Sequence, residues 1–319
     1  MDMETEKLIT LVLPVYNRAS IVMRTLASIE SQTNRDFRLV IVDNGSSDNT
    51  YEVLSKWVES HRKSSFSPIL LSESKPGASA ARNCGLSVVS TEYVMYFDSD
   101  DEMRPNHMAL IADHLRRFPK TDLLRWNISM IDSDGWLSTT DKRFHDEMQL
   151  HLMHGTLATQ RFAVRTSIAK SIGGWNEQLK IYLDLEIGVR LIATGCKISK
   201  LNGEPTVVVH HSEECISGNS YSSRTKEISE TLEAIEKILR EGERAEDMPI
   251  LNAKRAIVAG HLKREKNHEE SSRFLQKSLE SASRKEQLYQ KMVYWTVRIF
   301  GKGGCLVALK LMGKKVEKR

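Results

Sequence analysis

The stretch that decides the fold is YVMYFDSDD, residues 93–101, in which five β-favouring residues run directly into three carboxylates within four positions. A short apolar run predicts a buried strand, and open α/β sheets bind ligands at the carboxyl ends of such strands. Carboxylates this close repel one another and are best tolerated around a cation. Oxygen ligands of this kind favour Mg²⁺ or Mn²⁺ together with substrate phosphates. The stretch therefore predicts a metal-assisted phosphate-ester site, and an acidic turn that caps the helix near Pro105 is the alternative.

Outward from this stretch, strand-like and helix-like patterns alternate. Apolar runs predict earlier strands, and apolar residues at helical spacing predict helices between them. This alternation predicts a mostly parallel sheet covered by helices on both faces. The predicted strands are Leu8–Leu13, Phe37–Val42 and Pro68–Leu71, and the predicted helices begin at Ser20, near Val53 and at Ser79.

Beyond residue 123 the alternation becomes less regular. We expect a strand over Leu124–Ile131, a hairpin turn at residues 132–135, and a mobile loop, rich in histidine and charge, over Lys142–Gly155. A strand at Phe162–Val164, a helix over Leu183–Thr194 that Gly195 ends, and a strand at Val207–His211 complete the predicted body.

Composition is that of a globular protein of 319 residues. The amino-terminal residues 1–7 and the short apolar run after them are typical of neither a signal peptide nor a membrane span. Four scattered cysteines without metal-type spacing are best explained as reduced thiols. The expected location is therefore cytoplasmic. The cysteines are Cys84, Cys196, Cys215 and Cys305.

The charge is divided unevenly along the chain. Residues 254–319 hold 17 Lys and Arg against 6 Asp and Glu, whereas residues 1–253 hold 29 against 36. From about Tyr221 onward the pattern is helical, and Leu288–Met312 is basic and amphipathic. A basic tail on an acidic body suggests an anionic partner. Two interpretations stay open: the tail helices pack against the body, or they dock on an anionic membrane at the inner face of the cell. Nothing in the pattern indicates a nucleic-acid partner.

Three motifs at successive predicted strand ends, followed by two downstream motifs, resemble family 2 glycosyltransferases of the GT-A fold. The resemblance spans about residues 8–217. It implies a three-layer α/β/α fold with a Rossmann-like, mostly parallel sheet, in a domain over residues 1–220, with a nucleotide-binding half to about residue 120 and an acceptor half after it. A basic helical extension over residues 221–319 lies outside it. The motifs are PVYNR (14–18), DNGS (43–46), DSDD (98–101), GGWNE (173–177) and LDLEIGVR (183–190).

The first two motifs would form the nucleotide slot. The resemblance implies that Asp43 and Asn44 read the edge of the base, with the Asn44 amide oxygen accepting from a uracil N3–H. The family usually has an acid at the position of Asn44. Pro14 and Tyr16 would line the slot. An ordinary tight turn is the alternative for the DNGS motif.

The diphosphate and its metal ion would be bound by the next residues. Small residues in the segment 75–83 let the backbone approach a ligand, and Arg82 would face the diphosphate. Alternatively, Arg82 only pairs with Asp98. The resemblance implies that Asp98 and Asp100 hold Mn²⁺ or Mg²⁺, with His211 completing the metal shell. The alternative for His211 is an ordinary surface residue at a strand end.

The acceptor hydroxyl needs a base opposite the departing phosphate. The family has an acid pair where this chain has Leu183 and Asp184, so Asp184 is the predicted base. The alternative is that Asp184 only favours its helix amino terminus. Glu186 and Arg190 share a helical face and are predicted to form a structural ion pair.

Two further residues are assigned to the sugar or acceptor. Trp175 offers an apolar ring face that suits sugar C–H surfaces, although a buried core tryptophan is the alternative. Asp101, the third carboxylate of the acidic motif, is also assigned to the sugar or the acceptor.

Together these features predict a metal-dependent, inverting glycosyltransferase that uses a nucleotide-diphosphate sugar, most simply a UDP-sugar, and a glycan or lipid-linked acceptor. Three rivals are weighed against it. A nucleotidylyltransferase needs a glycine-rich, basic loop after the first strand, which PVYNR does not supply. A glycoside hydrolase needs two opposed carboxylates but no nucleotide slot. A non-catalytic sugar-nucleotide binding protein would have no turnover to lose on substitution of Asp184.

Overall fold

The computed structural model describes residues 7–66, 68–132, 135–138, 146–210 and 220–313. The strands of these residues, in chain order, are β1 (Ile9–Val15), β2 (Phe37–Asp43), β3 (Ile69–Ser72), β4 (Tyr93–Tyr96), β5 (Glu102–Met103), β6 (Leu123–Arg125), β7 (Ser129–Asp132), β8 (Gly135–Ser138), β9 (Phe162–Arg165), β10 (Ile198–Lys200) and β11 (Val207–His210).

The α-helices are α1 (Val22–Glu30), α2 (Thr50–Ser60), α3 (Ala78–Ser87), α4 (His107–Arg117), α5 (Glu147–His154), α6 (Thr166–Ser171), α7 (Leu183–Ala193), α8 (Thr225–Glu241), α9 (Met248–Arg264), α10 (His268–Leu279), α11 (Arg284–Phe300) and α12 (Gly304–Met312). In the described part of the chain, none of them combines the length and the apolar content that crossing a bilayer requires.

The main sheet has the strand order β10-β6-β9-β4-β1-β2-β3. β1 pairs in parallel with both β2 and β4, and β9 is antiparallel to its two neighbours. The central strand β1 is buried almost throughout, because helices cover the sheet. The predicted mostly parallel α/β sheet is confirmed.

The predicted strand over Leu124–Ile131 is wrong as a single strand. β6 belongs to the main sheet, whereas β7 belongs to a second sheet of order β5-β11-β7-β8. Trp126 lies at the break, with its side chain buried and its Nε1–H donating to the Gln160 carbonyl at 2.8 Å. This anchored indole fixes the point at which the chain leaves the first sheet.

The predicted loop over Lys142–Gly155 is also wrong in its described part, because residues 147–154 form α5. The Asp146 side chain caps the helix by accepting from the Gln149 N–H at 3.0 Å, and Gly155 ends it in the left-handed conformation. Residues 141–145 lie outside the described residues.

The chain divides into two compact units. Unit 1 comprises residues 1–140, 157–178 and 196–212, and it holds both sheets. Unit 2 comprises residues 141–156, 179–195 and 213–319, and it is helical in its described residues. The domain boundary near residue 220 stays a prediction, and two segments before that boundary, including α5 and α7, belong to unit 2.

Candidate active site

The ends of β1 and β2 carry the first predicted group. Val15 is opposite Asp43 in the parallel register, and the next residue, Asn44, donates its backbone N–H to the Val15 carbonyl at 2.8 Å. Asp43 is buried, and its Oδ2 accepts from the Ser46 N–H at 3.2 Å. Its other oxygen, Oδ1, is buried and has no hydrogen-bond partner among the described residues. A buried acceptor without a partner is costly, so Oδ1 is suited to a ligand N–H.

Pro14 and Tyr16 flank this position. Pro14 is half-buried and opposite Val42 in the register. Tyr16 follows the strand and is 55% exposed. An exposed aromatic ring beside a buried acceptor can cover a flat base, as predicted for this pair.

Asn44 lies where the sequence predicts, but its side chain has another role. Its amide NH₂ donates to the Glu73 carbonyl at 3.1 Å and to the Lys75 carbonyl at 2.8 Å. Its amide oxygen accepts from the Gly77 N–H at 2.8 Å. These three hydrogen bonds fix the loop that leads into α3, and the uracil contact of Asn44 stays a prediction.

Arg82, on α3, is almost fully buried beside the acidic motif. Its Nη2 donates to Asp98 Oδ1 at 2.9 Å, and its guanidinium carbon lies 4.4 Å from the centre of the Trp175 ring. Its Nε–H is buried without a partner in the described part of the chain. Arg82 therefore pairs with Asp98, as one alternative predicts, and keeps a donor for an anionic ligand.

Asp98 and Asp100 are the two carboxylates predicted to bind a metal ion. Burial, followed by the negative charge of Asp98, raises the pKa of the Asp100 carboxyl, while Arg18 and Arg24 lower it. Arg18 Nη2 lies 3.8 Å from Asp100 Oδ2. The repulsion between the two carboxylates is what a divalent cation would relieve, so the pair fits Mg²⁺ or Mn²⁺.

The described residues contain no group of three or more His, Cys, Asp or Glu side chains arranged to hold a metal ion. Two carboxylates suffice where substrate phosphates supply the remaining ligands. His211, the predicted third ligand, lies outside the described residues. Its neighbour His210 has its Nε2 2.7 Å from Glu102 Oε1.

Asp101 is corrected from an acceptor residue to a buried structural one. It is 1% exposed, with one carboxylate oxygen accepting from the His210 N–H at 3.0 Å and the other from the Gln160 side chain. Burial and the nearby charges of Asp98 and Asp100 raise its pKa well above the usual range. Asp101 thus anchors the acidic turn instead of facing a sugar.

Trp175 is likewise a buried residue, 2% exposed, so the core alternative holds and the sugar-stacking assignment is corrected. Its backbone is held by the Asn83 side chain, which accepts from the Trp175 N–H at 2.7 Å and donates to the Trp175 carbonyl at 2.9 Å. The ring covers the Arg82 guanidinium and contacts Tyr96 edge-on at 5.1 Å between centroids. Its role is to position Arg82.

Sequence reasoning missed a side-chain network that connects the loop at residues 75–77 to the GGWNE motif. Glu177 accepts from Asn83 Nδ2 at 2.6 Å and forms an ion pair with Lys75. These hydrogen bonds lower the pKa of Glu177, with that of Lys75 contributing most. Asn83 and Glu177 stand inside motifs that the sequence singles out, but their contact is between positions 94 residues apart.

In unit 2, Asp184 lies half-buried in the first turn of α7, as predicted. Its Oδ1 accepts from the Leu185 N–H at 2.9 Å, which is the helix-favouring contact of the alternative interpretation. The turn before it is unusual, because Tyr182 is in the left-handed conformation with φ of 52°. Such a conformation in a non-glycine residue requires support from its surroundings.

That support includes Lys254, which sequence reasoning also missed. Its Nζ donates to the Leu152 carbonyl at 2.8 Å and lies 5.8 Å from the centre of the Tyr182 ring. Burial lowers the pKa of Lys254, whereas the negative charge of Asp184 raises it. A cation therefore interacts with the predicted base.

The predicted Glu186–Arg190 ion pair is confirmed. Arg190 Nε donates to Glu186 Oε1 at 2.8 Å and Nη2 donates to Oε2 at 2.7 Å, in a bidentate arrangement one helical turn apart. Glu186 is buried, so the pair fixes α7 and leaves Asp184 as the predicted base of this helix.

Unit 1 is thus an α/β unit that holds a buried acceptor and a carboxylate pair after its strands and an arginine on α3, groups of the kind that suit a nucleoside diphosphate and a metal ion. The family model described as "Glycosyl transferase family 2" matches residues 10–168. The chain belongs to glycosyl transferase family 2.

Two curated relatives illustrate the match. Glycosyltransferase GlyG of Streptococcus pneumoniae is 33% identical over 100 residues, 31% of this chain and 32% of the relative. Chondroitin synthase of Escherichia coli is 24% identical over 210 residues, 63% of this chain and 30% of the relative. The matched part thus spans about a third of the length of these relatives.

Among solved structures, residues 1–349 of S. aureus TarS in complex with UDP-GlcNAc superimpose with a TM-score of 0.63 at 18% identity. The match covers 91% of this chain and 81% of that one. At this identity the likeness establishes the fold, and it confirms the predicted three-layer α/β/α architecture with carboxyl-terminal helices.

Proposed function

We propose that the protein is a metal-dependent, inverting glycosyltransferase that moves a sugar from a nucleotide-diphosphate sugar to a hydroxyl of a glycan or lipid-linked acceptor in surface polysaccharide synthesis. The observation that carries this proposal is a set of three groups: the open Asp43 oxygen at the end of β2, the Asp98–Asp100 pair that follows β4, and Arg82 of α3, which pairs with Asp98. The UDP-GlcNAc bound by TarS favours a UDP-linked donor, and the relative named chondroitin synthase favours a glycan acceptor.

Each residue has a defined task in donor binding. Asp43 Oδ1 accepts an N–H of the base, with Tyr16 against the base plane. Arg82 donates its unpaired Nε–H toward the diphosphate. Asp98 and Asp100 would hold Mn²⁺ or Mg²⁺, and such an ion would supply positive charge beside the departing diphosphate.

Asp184 acts on the acceptor. It takes the hydroxyl proton while the oxygen attacks the anomeric carbon and the bond to the phosphate breaks, so that a single displacement inverts the sugar configuration. The basic tail would hold the protein at the cytoplasmic face of a membrane, where a lipid-linked acceptor is available.

The test substitutes Asp184→Asn, which keeps an oxygen for the Leu185 N–H but cannot accept a proton. UDP release from a panel of UDP-sugars with Mn²⁺ and a bacterial lipid extract should fall at least about a hundredfold. The affinity for UDP with Mn²⁺, measured by calorimetry, should stay within about twofold, because the substitution changes a proton acceptor rather than a donor ligand.

The matched control is Asp113→Asn, an exposed aspartate on α4 that should change neither quantity. Normal turnover in Asp184→Asn would refute the base assignment. Failure of UDP with Mn²⁺ to raise the melting temperature of the wild-type protein would refute the donor site, because a ligand of the folded state stabilises it. Turnover that persists in EDTA would refute metal dependence.

A further inference from the structure

Helix α11 has two different faces. One face is buried in unit 2 and consists of Gln290, Val293, Tyr294 and Val297. Packing on this side is close, since a Cβ atom on Gly260 of α9 would lie 2.7 Å from the Val297 Cβ. The helix is therefore fixed in orientation, and its other face is turned outward by the fold itself.

The outward face, here called the α11 stripe, is apolar. Its first four members are spaced by four, three and four residues, so they share one side of the helix. Large apolar side chains gathered on a surface indicate an interaction site, whereas scattered ones do not. The members and their exposed fractions are Leu288 57%, Met292 45%, Trp295 48%, Ile299 59% and Phe300 68%.

Four of the five charged residues of α11 are basic. Arg284, Lys285 and Lys291 are exposed, and the Arg298 guanidinium carbon lies 4.3 Å from the centre of the Trp295 ring. Glu286 is the one acidic residue in the sequence of α11, and the capping box with Ser283 uses its carboxylate. The stripe is thus an apolar surface with a positive border.

This charge pattern selects among partners. A second copy of the helix would bring the same basic border against itself, and like charges along a helix pair oppose association. An anionic lipid surface attracts each Lys or Arg that comes near it, while its acyl region accepts the tryptophan, leucine and phenylalanine side chains.

We propose that the α11 stripe is a membrane-docking surface that inserts Trp295, Ile299 and Phe300 into the interface of an anionic bilayer. This deepens the tail contact of the proposed function by assigning it to one helix face. The test of the α11 stripe measures lipid binding and not turnover. The membrane-docking proposal and the glycosyltransferase proposal can therefore fail independently.

The experiment uses the full chain with two kinds of vesicle. One kind is phosphatidylcholine alone, and in the other about one lipid in three is phosphatidylglycerol, so that its surface is strongly anionic. The wild-type protein should float with the anionic vesicles at low salt and bind them at least about tenfold more strongly than the neutral ones. Lipids brominated in the acyl chain should quench the Trp295 fluorescence, because the indole enters the interface.

Two double variants separate the apolar and the charged contributions. Trp295→Ser with Ile299→Ser, and Lys291→Glu with Arg298→Glu, should each weaken binding at least about tenfold. The matched controls are Phe118→Ser, an exposed aromatic in unit 1, and Lys56→Glu, an exposed lysine on α2, and both should bind as the wild type does.

Equal binding of the wild type to both vesicles, or unchanged binding by the double variants, would overturn the proposal. So would a wild-type dimer in light scattering that the Trp295→Ser, Ile299→Ser variant makes monomeric without any lipid binding, since the stripe would then contact a second copy. A helical circular-dichroism signal and a melting temperature equal to those of the wild type show that the variants are folded.

Discussion

At the scale of single residues, the site depends on side chains that hold other side chains. Asp43 and Arg82 each keep one buried polar atom that is suited to a ligand, whereas the side chains of Asn44 and Asp101 hydrogen-bond within the protein and the Trp175 ring packs over Arg82. The sequence identifies all five because polar and aromatic residues at strand ends are exceptional. It does not separate ligand contacts from supports, since that depends on which way each side chain points after folding.

Asn44 gives the residue-scale prediction. Asn44→Ala would leave the Gly77 N–H and two loop carbonyls without partners, and each such loss in a part-buried place costs about 1–3 kcal/mol. We expect a loss of about 2–4 kcal/mol in the free energy of unfolding, measured with urea. Asn44→Asp should be no better, because a carboxylate cannot donate to the Glu73 and Lys75 carbonyls.

Asn106→Ala is the control for this experiment, since Asn106 is exposed and caps no helix with its side chain. It should change the unfolding free energy by less than about 0.5 kcal/mol. If Asn44→Asp were as stable as the wild type, the loop-holding role of Asn44 would be disproved.

At the scale of elements, periodicity predicts what is locally encoded. β1, β2, β9, α7 and the tail helices all lie where apolar spacing places them. α5 was hidden by its charge and histidines, although Asp146 and Gly155 are cap residues that could have revealed it. The break between β6 and β7 has no local signal, because it depends on the contact of Trp126 with residue 160.

The packing of α5 against α7 gives the element-scale prediction. A Cβ atom on Gly188 would lie 2.1 Å from Nε2 of the buried His151. Alanine favours a helix over glycine by about 1 kcal/mol, but here overpacking should dominate, and Gly188→Ala should destabilise by about 1–3 kcal/mol. Urea unfolding measures the effect.

A double-mutant cycle with His151→Ala identifies the cause. If the methyl group clashes with the imidazole, Gly188→Ala should cost little once the ring is removed, so that the two effects are strongly non-additive. Additive losses would mean that the destabilisation comes from elsewhere.

At the scale of the whole molecule, the sequence predicts a mostly parallel α/β sheet but not the division of the chain into two units. Unit 2 gathers segments far apart in sequence, as when Thr231 donates to the Ile181 carbonyl at 3.0 Å and Arg244 pairs with Asp146 at 3.2 Å. Contacts between such distant residues produce no periodic pattern in the sequence. The uneven charge, in contrast, is visible in composition, and the structure shows that part of it borders an exposed apolar stripe.

The last prediction concerns how the stability of the whole protein depends on pH. His107 is fully buried with its Nδ1 2.7 Å from Thr206 Oγ1, and burial lowers its pKa to about 3. The unfolded chain takes up this proton near pH 6.5 whereas the folded protein does not. Stability contributed by the neutral ring is therefore present above pH 6.5 and is lost as the pH falls toward 3. Between pH 7.5 and 5 the loss from this residue alone should be about 2 kcal/mol.

His107→Asn removes the titration while its amide can still contact the Thr206 hydroxyl. The variant should be less stable than the wild type at pH 7.5 because it fills less of the buried site beside Trp126. Its unfolding free energy should nevertheless fall by about 2 kcal/mol less than that of the wild type between pH 7.5 and 5. His268→Asn, at an exposed position, should leave the wild-type slope in place. Parallel pH profiles for wild type and His107→Asn would show that the folded protein protonates His107 as readily as the unfolded chain does, and that burial does not exclude the charge.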